Sequence, residues 1–156
     1  MSKPAPTTRE YETKSAAGTI AIGRKLADLL TPPRLMILRG DLGAGKTTLV
    51  KGIATALGAA DPDEVTSPTF TLIHEYAGTA DGTPEGKPVK LLHLDLYRLD
   101  AERQLDTLGL EELQTEDALV LIEWGEKFQS IVKRADGEIA VASTGGDTRK
   151  ITVTLN

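Results

Sequence analysis

The chain has 156 residues, no cysteine, a net charge of −5 and 26% charged residues. Its length suits one domain that buries roughly two thirds of its unfolded surface, and the missing thiols exclude disulfide frameworks, thiolate zinc sites and cysteine nucleophiles. The acidic balance argues against a broad polyphosphate-binding face, and no apolar run approaches the ~18 residues of a membrane span, so a cytoplasmic protein with no membrane contact is expected.

The chain opens Met1-Ser2-Lys3-Pro4-Ala5-Pro6-Thr7-Thr8, and residues 1–12 read as a disordered tail ahead of a single domain over 13–156. From Ser15 onward Ala16, Ile20, Leu26, Ala27 and Leu30 recur at spacings of three and four, which predicts a helix capped by Ser15 or Thr13 and stopped by Pro32-Pro33. Leu35-Met36-Ile37-Leu38 is short and continuously apolar, as a strand covered on both faces would be. It runs into Gly40-Asp41-Leu42-Gly43-Ala44-Gly45-Lys46-Thr47, after which Leu49, Ile53 and Leu57 stripe a helix closed by Gly58.

Residues 65–76 read as a loop entering a strand, and 89–98 as a second strand. The five Gly and Pro residues between 77 and 88 mark a long hairpin connection. Leu105, Leu108 and Leu113, interrupted by Gly109, indicate two short helices or a helix and a turn. Ala118-Leu119-Val120-Leu121-Ile122 is the most apolar strand and ends abruptly in Glu123-Trp124. A helix over 126–134 follows, then strands over 138–142 and 150–155 joined by a turn at 144–148. Alternating helices and buried strands predict a three-layer α/β domain with a mostly parallel sheet and antiparallel edge additions.

The stretch from Gly40 to Thr47 fits G-x-x-x-x-G-K-[ST] at every fixed position, between a strand and a helix. Glycines there let backbone N–H groups close around a phosphate while the helix presents its positive end to the same anion. Lys46 would reach the terminal phosphates and Thr47 a magnesium ion. Asp95 and Glu123 each end an apolar strand, where ligands bind in open α/β sheets. Glu123 has the stronger case as a metal-linked group; Asp95 is a holder of a metal-bound water or a base orienting the attacking water, and either could instead pair with a cation such as Arg98. The hydroxyls of Ser67-Pro68-Thr69 could sense the terminal phosphate or simply satisfy a proline turn. Trp124 lies against a nucleotide or partner, or in the core. His74 and His93 read as structural, Arg149 as a surface arginine within reach of a nucleotide, and Glu111, Glu112, Glu116 and Asp117 as a solvated face.

The ordered blocks from Gly40 to Thr48, Ser67-Pro68-Thr69-Phe70-Thr71-Leu72, His93-Leu94-Asp95-Leu96-Tyr97-Arg98-Leu99 and Ile122-Glu123-Trp124 closely resemble the bacterial TsaE (YjeE) family, small ATPases of tRNA threonylcarbamoyladenosine biosynthesis. The resemblance spans about residue 13 to the end and implies a P-loop NTPase fold that binds and slowly hydrolyses ATP with Mg2+. It implies an accessory role to the TsaB–TsaD pair that performs the threonylcarbamoyl transfer to the adenosine beside the anticodon, with tRNA contact local or indirect. By position it makes Leu42, Gly43, Ala44, Gly45, Lys46, Thr47 and Thr48 the phosphate contacts, Thr47 and Glu123 the magnesium contacts, Asp95 a residue needed for turnover, and residues 146–149 with Arg149 a late nucleotide-contacting turn. Assembly with the partner pair is further expected to depend on the nucleotide state through the loop from Ser67 to Thr71. The connection over 77–88 is longer and richer in glycine than the family pattern.

Overall fold

A computed structural model describes residues 6–41, 43–68 and 72–156. One seven-stranded sheet runs through it in the order β1-β7-β6-β2-β5-β4-β3. The strands are β1 (Thr7–Thr13), β2 (Arg34–Arg39), β3 (Ile73–Thr79), β4 (Pro88–Asp95), β5 (Ala118–Glu123), β6 (Gly137–Gly145) and β7 (Thr148–Leu155). The central four, β6-β2-β5-β4, are parallel. Antiparallel strands flank them, β7 and β1 on one edge and β3 on the other. This is the mostly parallel α/β arrangement with antiparallel edges that the sequence predicts.

All six residues of β5 are buried, and successive side chains point to opposite faces of a strand. Leu119 and Leu121 join Leu38, Leu49 and Ile53 beneath α1 (Ala16–Leu29) and α2 (Lys46–Ala56). Val120 and Ile122 join Leu35, Leu92, Leu94, Phe128 and Ile131 on the other face, under the short helices. Burial on both faces is why this strand reads as an unbroken apolar run. The same alternation puts His93, Asp95 and Glu123 on the α1/α2 side of the sheet.

Ser15 caps α1, its side chain accepting from the Gly18 N–H at 3.0 Å. The two long helices touch backbone to backbone where Gly23 faces Gly52. A Cβ on Gly52 would lie 2.0 Å from the Ile20 carbonyl oxygen, and one on Gly23 would lie 2.3 Å from that of Leu49. No larger side chain fits there without moving a helix.

Four expectations need correction. Residues 7–12 are not tail but most of β1, paired with β7 from Thr7 opposite Leu155 to Thr13 opposite Arg149. Its polar sequence hides the strand because an edge strand with a solvated face is held by its ladder of backbone hydrogen bonds, and only Thr13 is buried. β4 stops at Asp95 and does not reach residue 98, because the Asp95 carboxylate accepts the Tyr97 N–H at 2.9 Å and turns the chain. The segment 126–134 is a 3-10 turn, Gly125–Lys127, and then α4 (Gln129–Arg134), broken at Phe128, which is extended (φ −120°, ψ 119°). β6 and β7 run into the expected 144–148 turn, which tightens around Gly145 and Gly146.

Residues 101–113 form a 3-10 turn (Glu102–Leu108), a left-handed Gly109 and α3 (Leu110–Leu113), the two-helix alternative. The hairpin connection is 80–87, shorter than the expected 77–88, because residues 77–79 pair with β4 as the end of β3, and it is well organised. Asp81 Oδ1 accepts from the Thr83 N–H at 3.0 Å and its hydroxyl at 2.8 Å, while the Thr79 N–H donates to the Leu57 carbonyl at 2.8 Å, tying the hairpin to the end of α2. Among the described residues no helix is long and apolar enough to cross a membrane.

Candidate functional site

β2 delivers the chain to the loop at residues 40–45, and α2 begins at Lys46. Gly45 precedes the helix at φ +105°, a left-handed conformation that glycine adopts without strain. Gly45 at the N-cap has no side chain to bond the first N–H groups of α2, which leaves them available to an incoming anion. Gly43, Gly45, Lys46, Thr47 and Thr48 line a cavity of about 290 Å³ together with Ser67, Asp95 and Glu123. Residues far apart in sequence thus meet because β2, β4 and β5 end side by side. Ala44 turns its side chain into the core. Leu42, and Thr69, Phe70 and Thr71 of the proposed sensing loop, lie outside the described residues.

Lys46 is 6% exposed. Its Nζ donates to the Gly40 carbonyl at 2.6 Å and pairs with Glu123 Oε1 at 3.2 Å. The other carboxylate oxygen, Oε2, is 2.6 Å from His93 Nε2. Burial pushes the Glu123 carboxyl group up, but the hydrogen bond and charge of His93, followed by the charge of Lys46, outweigh it and hold the group below its ordinary value. An ionised carboxylate only accepts hydrogen bonds, so His93 Nε2 carries the proton between them. His93 is fully buried, and its Nδ1 has no hydrogen-bond partner among the described residues.

Asp95 lies directly across from Glu123 in the β4–β5 register and is 3% exposed. Trp124 follows Glu123 in a left-handed conformation (φ 65°), a strain of about 1–3 kcal/mol for a non-glycine residue. That turn sets the indole beside the lysine, 4.8 Å from Nζ to the ring centroid, while its far side packs against the core beneath the sheet and against Tyr97 at 5.2 Å. Trp124 is therefore partly core and partly a neighbour of Lys46.

Arg149 lies beside the loop, since a Cβ placed on Gly45 would be 3.3 Å from its Nε. Its Nη1 donates to the carbonyls of Gly146 at 2.7 Å and Thr148 at 3.0 Å, which fixes the arginine to the β6–β7 hairpin. His74 is across from His93 on β3 but outside the cavity, its Nδ1 3.2 Å from the Thr66 carbonyl oxygen. Glu111, Glu112 and Glu116 are exposed.

A hydroxyl from Thr47 and carboxylates from Asp95 and Glu123 open on one cavity. This hard-oxygen set suits Mg2+, which takes one or two protein carboxylates and completes its shell with water and substrate phosphates. The residue sequence reasoning undervalued is His93. Two positions before Asp95 on the same strand, it had to share Asp95's face, and that period-two spacing was the available signal.

A second cavity, of about 650 Å³, opens between the loop and β6 and is lined by Arg39, Asp41, Trp124, Glu126 and residues 140–143. It was not anticipated.

A model of the family described as "Threonylcarbamoyl adenosine biosynthesis protein TsaE" matches residues 13–151. The chain is 38% identical over 145 residues to the tRNA threonylcarbamoyladenosine biosynthesis protein TsaE of Bacillus subtilis, covering 93% of this chain and 84% of the relative. It is 37% identical over 138 residues to that of Streptomyces coelicolor, covering 85% and 87%. Treponema pallidum TsaE is 34% identical, with 90% and 96% covered. Among solved structures, the crystal structure of Bacillus subtilis YdiB superposes with a TM-score of 0.67 at 29% identity, covering 98% of this chain and 88% of that one. The chain belongs to the TsaE family of threonylcarbamoyl adenosine biosynthesis proteins.

Proposed function

We propose that the protein is a Mg2+-dependent ATPase that serves tRNA threonylcarbamoyladenosine formation as an accessory to a TsaB–TsaD transferase pair, in the cytoplasm, supporting or resetting that pair without performing the transfer. The pathway reading rests on family membership. The ATPase reading rests on one observation above all: Lys46, Thr47, Asp95 and Glu123 share a cavity at the uncapped start of α2.

In this reading the N–H groups of residues 42–48 and the Lys46 ammonium hold the phosphates, and Arg149 closes the side nearest Gly45. Thr47 and Glu123 hold Mg2+, which supplies charge neutralisation at the phosphates. Asp95, buried on the neighbouring strand, orients the attacking water and accepts its proton. Lys46 leaves Glu123 for the phosphates as nucleotide enters, so the Lys46–Glu123 pair is the resting state of the site.

The test is ATP hydrolysis by the purified chain, alone and with TsaB and TsaD added. Slow basal turnover that changes when the pair is added supports the proposal. No hydrolysis under either condition would overturn it in favour of a nucleotide-binding switch or a kinase awaiting an acceptor.

A further inference from the structure

We propose that His93 is a positioning residue, the group that keeps the Glu123 carboxylate aimed into the site once Lys46 has turned to the nucleotide. The inference rests on the reading of the cavity as a Mg2+–nucleotide site. Glu123 has two described partners, one per oxygen: Lys46 at 3.2 Å and His93 at 2.6 Å. A phosphate in the cavity competes for the three N–H donors of Lys46 and has no access to His93, which is fully buried. Once the lysine has gone, the imidazole on Oε2 is the described side chain left to orient the Glu123 carboxylate.

Packing alone does not account for a histidine here. Its neighbours on the same face of β4 and β5, Leu91 and Leu121, are apolar and fully buried, and Nδ1 has no hydrogen-bond partner among the described residues. An imidazole with one nitrogen unpartnered costs stability that a leucine would not, and what it provides in return is the Nε2–H donor on Glu123. This is the arrangement by which an outer residue orients a metal-binding carboxylate.

The experiment is a Mn2+ titration, followed by electron paramagnetic resonance, of the protein–ADP complex for wild type, His93→Leu and His93→Gln, with ADP affinity measured in EDTA. Loss of an outer partner of this kind weakens metal binding by about 10–100-fold. His93→Leu is expected to show that loss with metal-free ADP affinity kept, and His93→Gln, which retains an N–H donor, to recover most of it. Wild-type Mn2+ affinity in His93→Leu would overturn the inference, as would equal losses in both variants. Absence of Mn2+ binding by the wild-type ADP complex would instead remove the proposed function itself. A second measurement needs no variant. The Nε2 proton of His93 in wild-type protein is expected to shift when Mg2+ is added to the ADP complex, and an unmoved resonance would also overturn the inference.

Discussion

Lys46 and Glu123 offer the sharpest energetic test of the site in its nucleotide-free form. Their charged atoms are 3.2 Å apart, with side chains only 6% and 5% exposed. At an effective dielectric constant of ~20 the attraction is roughly 5 kcal/mol, much of it offset by the desolvation of both ions. Replacing Lys46 alone with methionine leaves Glu123 buried and charged beside His93 only. Breaking a buried pair in this way costs about 3–5 kcal/mol, and the remaining His93 contact places the loss near the lower end, about 3 kcal/mol. Removing both charges, Lys46→Met with Glu123→Gln, leaves no buried charge unpaired and should be less damaging than the sum of the single changes. Urea unfolding of wild type, both single variants and the double variant is expected to give a coupling energy of about 2–3 kcal/mol. A coupling below about 0.5 kcal/mol, the additivity limit for independent sites, would refute the argument that this pair holds the resting site together.

Three further outcomes are expected. Gly52→Ala puts a methyl group 2.0 Å from the Ile20 carbonyl oxygen, and because backbone cannot swing aside it should cost about 3 kcal/mol or more. A thermal melt should show the loss, and an unchanged Tm would contradict the close helix approach. Trp124 is the only tryptophan, so saturating ATP, by drawing Lys46 off the ring, should change its emission in wild type and not in Lys46→Ala; identical emission with and without ATP would count against that movement. Asp81 is held below its ordinary 3.8, chiefly by the Thr83 N–H hydrogen bond. A depressed folded-state pKa stabilises the protein above the unfolded value, and the effect fades as pH falls from about 4 through the folded value. The Thr83 amide resonance should follow that titration, and an Asp81 midpoint at or above 3.8 would exclude it.

Much of the site could be read directly because its chemistry is local. The loop from Gly40 to Thr47 lies in one stretch, and Glu123 stands out as a charge at the end of the unbroken apolar run of β5. α1 is legible from its apolar spacing and Ser15. β1 is not, because Thr7–Thr13 gains its order from pairing with β7, a partner some 140 residues away in sequence whose hydrogen bonds leave no apolar period on β1 itself. Gly23 and Gly52 look ordinary inside helical patterns, and their role exists only where the two helices meet. The end of β4 depended on a side chain, Asp95, capturing a backbone N–H two residues on. His93 was present in the motif, but its hydrogen bond to Glu123 crosses between strands thirty residues apart. What sequence cannot state is which strand lies next to β4; once β5 is there, the pairing of Asp95 with Glu123 and the placement of His93 beside them follow from the register.

The most direct test of the central claim is ATP turnover measured with and without Mg2+ for wild type, Asp95→Asn and Glu123→Gln, with ATP affinity measured in parallel. Wild type is expected to show slow, Mg2+-dependent hydrolysis, and each carboxylate variant about a hundredfold or greater loss of turnover with ATP binding retained. Near-normal hydrolysis in both variants would contradict it.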